Sequence, residues 1–574
     1  MPTATLPRTR RLTIVAEDPA VRYTTGPKKG RIVTARITVP AERLDAGPRG
    51  YRVHCIDYDA TSDTYYETGI PDDKDLFEDA PDEVLLNDPN FHCQNVYALV
   101  MYTLARFEFA LGRRLGWSFN GHQLKVAPHA FSDANAFYSE QDRALLLGYF
   151  PSHDSSSTIF TCLSHDVIVH ETTHALVDGL RTRYTDPSSP DQAAFHEGFA
   201  DVVALLSIFS MPSIAEFMID RYSTGDEKLI AIKSLKPEAL RQAMFGLAEE
   251  VGQELSGIRG KPLRQSLELG PGPKYLEMDE FQEPHRRGEI LVAAMVNAFL
   301  EMWSSRIAQL GERKKGMVDR AKVIEEGSDL ADILLTSAIR ALDYSPPVDL
   351  SFGDYLSALV TADTEVRPRS DDRYELRKHV LASFRAYGIE PASNCGTCGV
   401  AGCGLWEGVK GPLDYGRVHN DPMKSDADEI YHFIWENRSA DHLDLHDEGY
   451  TDVQSVRPCI RVGADGFTLR ETVAEYVNVA KIRAADLADL GLKKPEGMPD
   501  DLELYLYGGG ALIFDEYGHL KYHVFNTIDG SKQNARLDYL WKQGYFSGKS
   551  LKLRFSSLHR ARAAQEEQRI EEVW

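Results

Sequence analysis

Five consecutive residues, His170-Glu171-Thr172-Thr173-His174, combine two imidazoles and a carboxylate at a spacing that can do chemistry. On a helix, residues four apart lie one turn above the other on the same face, so both histidines can reach one metal ion. Glu171 can then sit beside a metal-bound water without being a ligand, as a hydrolytic general base must. A zinc site that keeps one position open for water needs a third protein donor, and Glu197 in His196-Glu197-Gly198-Phe199-Ala200-Asp201 offers it. Asp201 shares a helical face with Glu197 and is placed to accept the other ring N–H of a liganding histidine, which would fix its tautomer.

These groups need two helices to carry them. Val167, Ile168, Ala175, Leu176, Val177 and Leu180 surround the first motif with apolar surface, and only Gly179 weakens helix between Asp166 and Leu180, so a buried helix is expected. Ser189-Pro190-Asp191-Gln192 opens the second with a capping residue, a proline in the first turn and a Gln that can close a capping box.

With HExxH followed on a later helix by ExxxD, the chain resembles the thermolysin-like gluzincin metallopeptidases over roughly residues 50 to 389. The resemblance implies further roles. Asn135-Ala136-Phe137-Tyr138 is similar to an edge-strand segment in which Asn135 and the Ala136 carbonyl would hold the substrate backbone. Leu263-Arg264-Gln265-Ser266 resembles the stretch whose arginine, here Arg264, contacts the substrate carbonyl. His285-Arg286-Arg287-Gly288 resembles the segment whose histidine stabilises the oxyanion, with Glu280, Asp279 or Glu283 as its orienting carboxylate and the glycine one position early. Tyr184 is the matching phenol donor. Val167 and Leu263 match apolar positions that line the pocket for the side chain after the scissile bond. Asp166 matches one calcium-binding acid of the family, but Ile208 stands where another is expected, which puts the double calcium site in doubt. The family is usually exported with a long propeptide, and nothing before the first expected strands is long enough to be one.

A chain of 574 residues exceeds what one hydrophobic core organises. The expected class is α+β: a β-rich N-terminal lobe over 1–180 ending in the metal helix, a mainly helical lobe over 181–390, together thermolysin-like, and an α+β C-terminal domain over 395–574. Strands are expected within Arg11 to Gly69, at Gln123 to Ala127 and at Ala144 to Phe150, with a helix over Asn95 to Leu111. A net charge of −23 argues against nucleic acid or an anionic membrane as partner. With no secretory signal and no apolar stretch approaching 18 uncharged residues, a cytoplasmic protein is expected. Cys55, Cys93 and Cys162 read as reduced core residues. Cys395, Cys398 and Cys403 in a Gly-rich linker form a candidate second, structural zinc site with Cys459 or His419 as fourth ligand; a surface thiol cluster or a linker disulfide is the alternative. Leu502 to Leu506, Ala511 to Phe514 and Leu520 to Phe525 read as strands, and Ser557 to Glu572 as a charged closing helix.

The expected function is that of a zinc-dependent endopeptidase acting on peptides or proteins, with cleavage on the amino side of bulky apolar residues. An aminopeptidase shares the ligand pattern, but no Gly-x-Met-Glu-Asn-type segment precedes the metal helix. A non-catalytic zinc-containing binding protein is the other alternative, and it would have no use for Glu171.

Overall fold

The structure, a computed structural model, describes residues 8–23, 28–71, 74–118, 121–152, 157–186, 188–220, 228–252, 266–367, 374–392, 395–396, 404–438, 449–463 and 466–546, without side chains at 246–252, 395–396 and 531. Arg264, Leu263, Cys398, Cys403 and the Ser557 to Glu572 segment lie outside the described residues, as does the side chain of Cys395.

The chain is mixed α and β, with strands and helices largely segregated. Thr9–Val15 and Thr34–Pro40 pair antiparallel, as the alternation of β-branched and polar residues requires. A five-stranded mixed sheet follows. Val53–Cys55 runs parallel to Leu124–Ser132, which runs parallel to Ala144–Pro151, and Ala136–Ser139 closes the edge antiparallel to the last. The helix Pro89–Leu111 packs against these strands, and its Asp88 cap and Pro89 start it six residues before the expected apolar periodicity begins.

From about residue 161 to 389 the described chain is mainly helical. His165–Leu180 is buried on every side except at Gly179, so it is a core helix rather than an amphipathic one. It packs on Pro190–Phe209, which packs on Pro284–Gln309. Pro284–Gln309 is long and apolar enough to cross a membrane, yet 72% of its apolar window is buried inside the protein; Pro190–Phe209 and Pro212–Asp220 pass the same test only as a pair bent by 79°.

The C-terminal region is built on a four-stranded antiparallel sheet, Tyr450–Val462, Thr468–Arg483, Glu503–Phe514 and Leu520–Asn526. The first two of these strands were not anticipated from the sequence. Leu502 to Leu506 and Ala511 to Phe514, expected as separate strands, are one strand continuous through Gly508-Gly509-Gly510. The glycines make room: a Cβ on Gly510 would lie 2.8 Å from His523 Nε2, which Tyr476 also reaches across the sheet. Val473, Ala511 and Ile513 join the main core, while Ala474, Tyr476 and Leu512 turn the other way onto Ile430 and Phe433 of the helix Ala427–Glu436.

Charge also docks this sheet. Arg181, directly after the His165–Leu180 helix, pairs with Glu475, and Arg461 pairs with both Asp343 and Glu471. Arg113 grips Asp343 with both terminal nitrogens, at 2.5 and 2.7 Å. Burial alone would raise the Asp343 carboxyl, but Arg113, Arg461 and Arg181 hold it well below the usual carboxylate range. A carboxylate with a depressed folded value contributes stability above its ordinary pKa and loses it only as the pH falls through the depressed one, so this docking should survive mild acid. Arg461→Met removes a fully buried cation while keeping the volume, and should cost about 3 kcal/mol or more because two carboxylates lose a partner. A denaturant-unfolding midpoint unchanged from the parent chain would show that the pairs do not hold the sheet.

Candidate metal centre

The His165–Leu180 helix carries two threonines into the core, and both satisfy their hydroxyls locally: Thr172 donates to the Ile168 carbonyl at 2.6 Å and Thr173 to that of Val169 at 2.7 Å. The histidine face is thereby left to His170 and His174, whose rings stand nearly perpendicular, at 88°, with centroids 4.3 Å apart.

Ser189 caps the Pro190–Phe209 helix by accepting the Gln192 N–H at 3.1 Å. Gln192 does not close the expected capping box. Its amide donates instead to the Arg183 and Asp186 carbonyls, both at 2.9 Å, and its oxygen accepts the Leu350 N–H at 3.1 Å. It ties the loop between the two helices to the 350 segment, satisfying two loop carbonyls and the buried Leu350 N–H at once.

One donor atom each from His170, His174 and Glu197 lies within 4.8 Å of the other two, and all three residues are buried. Glu197 stands between the imidazoles, with Oε2 3.6 Å from His170 Nε2 and Oε1 3.5 Å from His174 Nε2. This group can hold a metal ion. His170 Nδ1 approaches Asp201 Oδ1 to 2.8 Å. His174 turns its Nδ1 elsewhere, to His196 Nδ1 at 2.7 Å, with the rings stacked. If His174 presents its Nε2 lone pair to a cation, its Nδ1–H is the donor in that contact. His196 is a supporting residue that the sequence did not single out; its position just before Glu197 was the only signal.

Glu171 accepts the backbone N–H of Tyr138 at 2.9 Å. Tyr138 sits on the edge strand Ala136–Ser139, and since backbone groups two apart face the same side of a strand, Ala136 turns its own N–H and C=O to that open edge. Asn135 Oδ1 accepts the Ala136 N–H at 2.9 Å. The Tyr138 hydroxyl reaches Asp178 at 3.1 Å on the metal helix, pinning strand to helix from the other side.

His285 comes to the same place. Its Nε2 is 3.8 Å from Glu197 Oε2, and its Nδ1 is 3.7 Å from Glu283, one of the three carboxylates considered for it. Two glycines permit this. A Cβ on Gly198 would stand 2.8 Å from the Gly288 carbonyl, and one on Gly288 would stand 3.1 Å from the Ala194 carbonyl, so the helices touch backbone to backbone. One turn beyond His285 is another group missed in the sequence, Glu289, whose carboxyl burial pushes up to about 7 despite Arg286 beside it.

Three expectations are corrected. Tyr184 is fully buried and its hydroxyl donates to the Pro346 carbonyl at 2.8 Å, so it braces the loop after the metal helix instead of serving as a phenol donor. Cys459 is buried with its sulfur 3.1 Å from Arg113 Nη1, and Arg461 is close enough to act on it electrostatically, surroundings that repel a cation. His419 is exposed against Glu429. Both are thus engaged with other partners, and the side chains of the linker cysteines they were expected to join lie outside the described residues. Val167 is 1% exposed, within the main core.

No family model matches the chain, and no curated protein is significantly similar to it. Asp201→Asn keeps the size and removes the charge behind His170, and should weaken metal binding about 10- to 100-fold. Competition against a chromophoric chelator measures this, and unchanged affinity would remove Asp201 from the centre.

Proposed function

We propose that the chain is a zinc metallopeptidase of the thermolysin-like kind, cutting within peptide chains. The observation that carries this reading is the placing of Glu171 beside the His170, His174 and Glu197 donors, its carboxylate held by an edge strand that turns the Ala136 carbonyl to its unpaired side. The donor set suits zinc. Two imidazoles and one carboxylate, all buried and within 4.8 Å of one another, would leave the fourth position of a zinc tetrahedron to water. The cation also offsets the cost of burying Glu171 and Glu197, which are 2% and 4% exposed.

Zinc held by His170, His174 and Glu197 would supply a Lewis acid that polarises a carbonyl and brings a water's pKa to about 7. The remaining work falls to the chain. The Ala136 edge pairs with the substrate backbone as an added strand, and the Asn135 side chain borders it. Glu171 takes the water's proton on its carboxylate and returns it to the departing amine. His285 Nε2, on the Glu197 side of the site, donates to the oxyanion as charge develops. By the resemblance alone, Val167 and Leu263 would border the pocket for the side chain after the scissile bond and favour a bulky apolar one, at about 0.8 kcal/mol per buried methylene.

The test is digestion of a denatured protein mixture with and without chelator, with new N-termini mapped by mass spectrometry. Leu and Phe should dominate those termini, whereas one-residue trimming from chain ends would replace this reading by an aminopeptidase. Glu171→Gln should keep its metal and lose roughly 10²–10⁴-fold in turnover; full activity would sink the mechanism. His285→Ala should lower kcat by about 10²-fold or more with little change in KM, since an oxyanion donor acts in the transition state. An unchanged kcat returns His285 to a surface role.

A further inference from the structure

A second cluster of donors lies in the N-terminal region, away from the residues of the first. His92 stands in the first turn of the helix Pro89–Leu111, His129 on the strand Leu124–Ser132, and Cys162 in the short turn Thr161–Leu163 that leads into the metal helix. One donor atom of each lies within 4.8 Å of the other two, and they are 1%, 4% and 0% exposed. The strand loses regular register with its neighbour between Ala127 and Phe131, so His129 sits on an irregularity of the kind that re-aims a side chain. Phe160 packs on both rings, at 4.7 and 5.2 Å, and Tyr66 lies against His129 at 5.4 Å.

The hydrogen bonds decide where the ring protons are. His92 Nε2 is 3.0 Å from the Leu86 carbonyl, which can only accept, so that nitrogen carries hydrogen. His129 Nδ1 is 2.8 Å from Asp57 Oδ1 and donates to it. With both rings neutral, the lone pairs of His92 Nδ1 and His129 Nε2 are left facing each other at 2.8 Å, an arrangement that requires a cation between them. A proton would serve. The Cys162 sulfur as a third donor is more than a proton needs, and the outer N–H groups, on a carbonyl and a carboxylate, are those that orient liganding histidines.

We infer that His92, His129 and Cys162 form a second transition-metal site, taking Zn²⁺ through two imidazoles and a thiolate. Charge selects a divalent ion: with the thiolate and the Asp57 carboxylate each contributing one negative charge, two positive charges leave the buried site neutral. On binding, the ion displaces the proton shared by the two rings and the thiol proton, so two protons go to solvent. The site joins helix, strand and the turn before the metal helix, and so fixes where that helix begins.

Cobalt substitution separates this site from the first, because only a sulfur ligand gives a thiolate-to-cobalt charge-transfer band. The intact chain, purified without chelator, should hold two zinc ions, and its cobalt form should show the band. His174→Ala should keep the band with one ion fewer, as should a chain with Cys395→Ser, Cys398→Ser and Cys403→Ser keep the band. Cys162→Ala and, separately, His129→Gln should lose it together with one zinc, while the His170 centre stays loaded. Absence of the band from the folded parent chain, a zinc count indifferent to Cys162, or copper retained in preference to zinc would overturn the assignment. The parent-chain reading stands even where a variant does not fold, and it does not depend on peptidase activity.

Discussion

Close packing of three helices around Glu197 is the constraint on which the candidate centre depends. Two imidazoles one turn apart converge on a cation only if something opposite completes the set, and Glu197 does so because its helix lies against theirs. At the next residue, Gly198, that helix meets Gly288 of Pro284–Gln309 with no side chain between them. The same contact sets the reach of His285 toward Glu197. Burial makes this arrangement costly without a cation, since carboxylates and imidazoles are held among apolar neighbours at a few per cent exposure.

The edge strand and the C-terminal sheet brace this helical core from two directions. Tyr138 is bonded to the His165–Leu180 helix twice, through its backbone to Glu171 and through its hydroxyl to Asp178, so the edge strand and Glu171 are one mechanical unit. At the far end of the same helix, Arg181 reaches the Leu342 carbonyl and Glu475 of the C-terminal sheet. A buried arginine with such partners resists displacement, because pulling it away strands a charge on each side. The C-terminal region is in this sense continuous with the core: Cys459, Val473, Ala511, Ile513 and Val524 belong to it.

The start of the metal helix has its own support. Cys162 lies in the entry turn and His165 opens the helix after it; the His165 N–H donates to the Glu17 carbonyl at 2.6 Å, and its ring contacts Ser207 at 3.0 Å. The N-terminal ribbon, the five-stranded sheet and the second metal helix thus all bear on where His170 stands.

Much of this was legible from the sequence alone. The spacing in His170-Glu171-Thr172-Thr173-His174, the capped helix carrying Glu197 and Asp201, and the order of strands and helices up to about residue 390 are local properties, set by periodicity, caps and turns that neighbours in the chain dictate. What a local reading could not reach is which side chain answers which across the fold. Asp201 answers His170 while His196 answers His174, the Tyr184 hydroxyl goes to Pro346, and Cys459 faces Arg113, all settled by contacts between distant segments. The strands Tyr450–Val462 and Thr468–Arg483 are rich in charged residues because Glu471, Glu475 and Arg461 find buried partners elsewhere, so the alternation that marks a strand was hidden. His92, His129 and Cys162 stand far apart in sequence with no spacing to link them. Only the packing of helix on sheet brings their donor atoms together, because metal coordination requires convergence in space and the chain records it only when the ligands share one element.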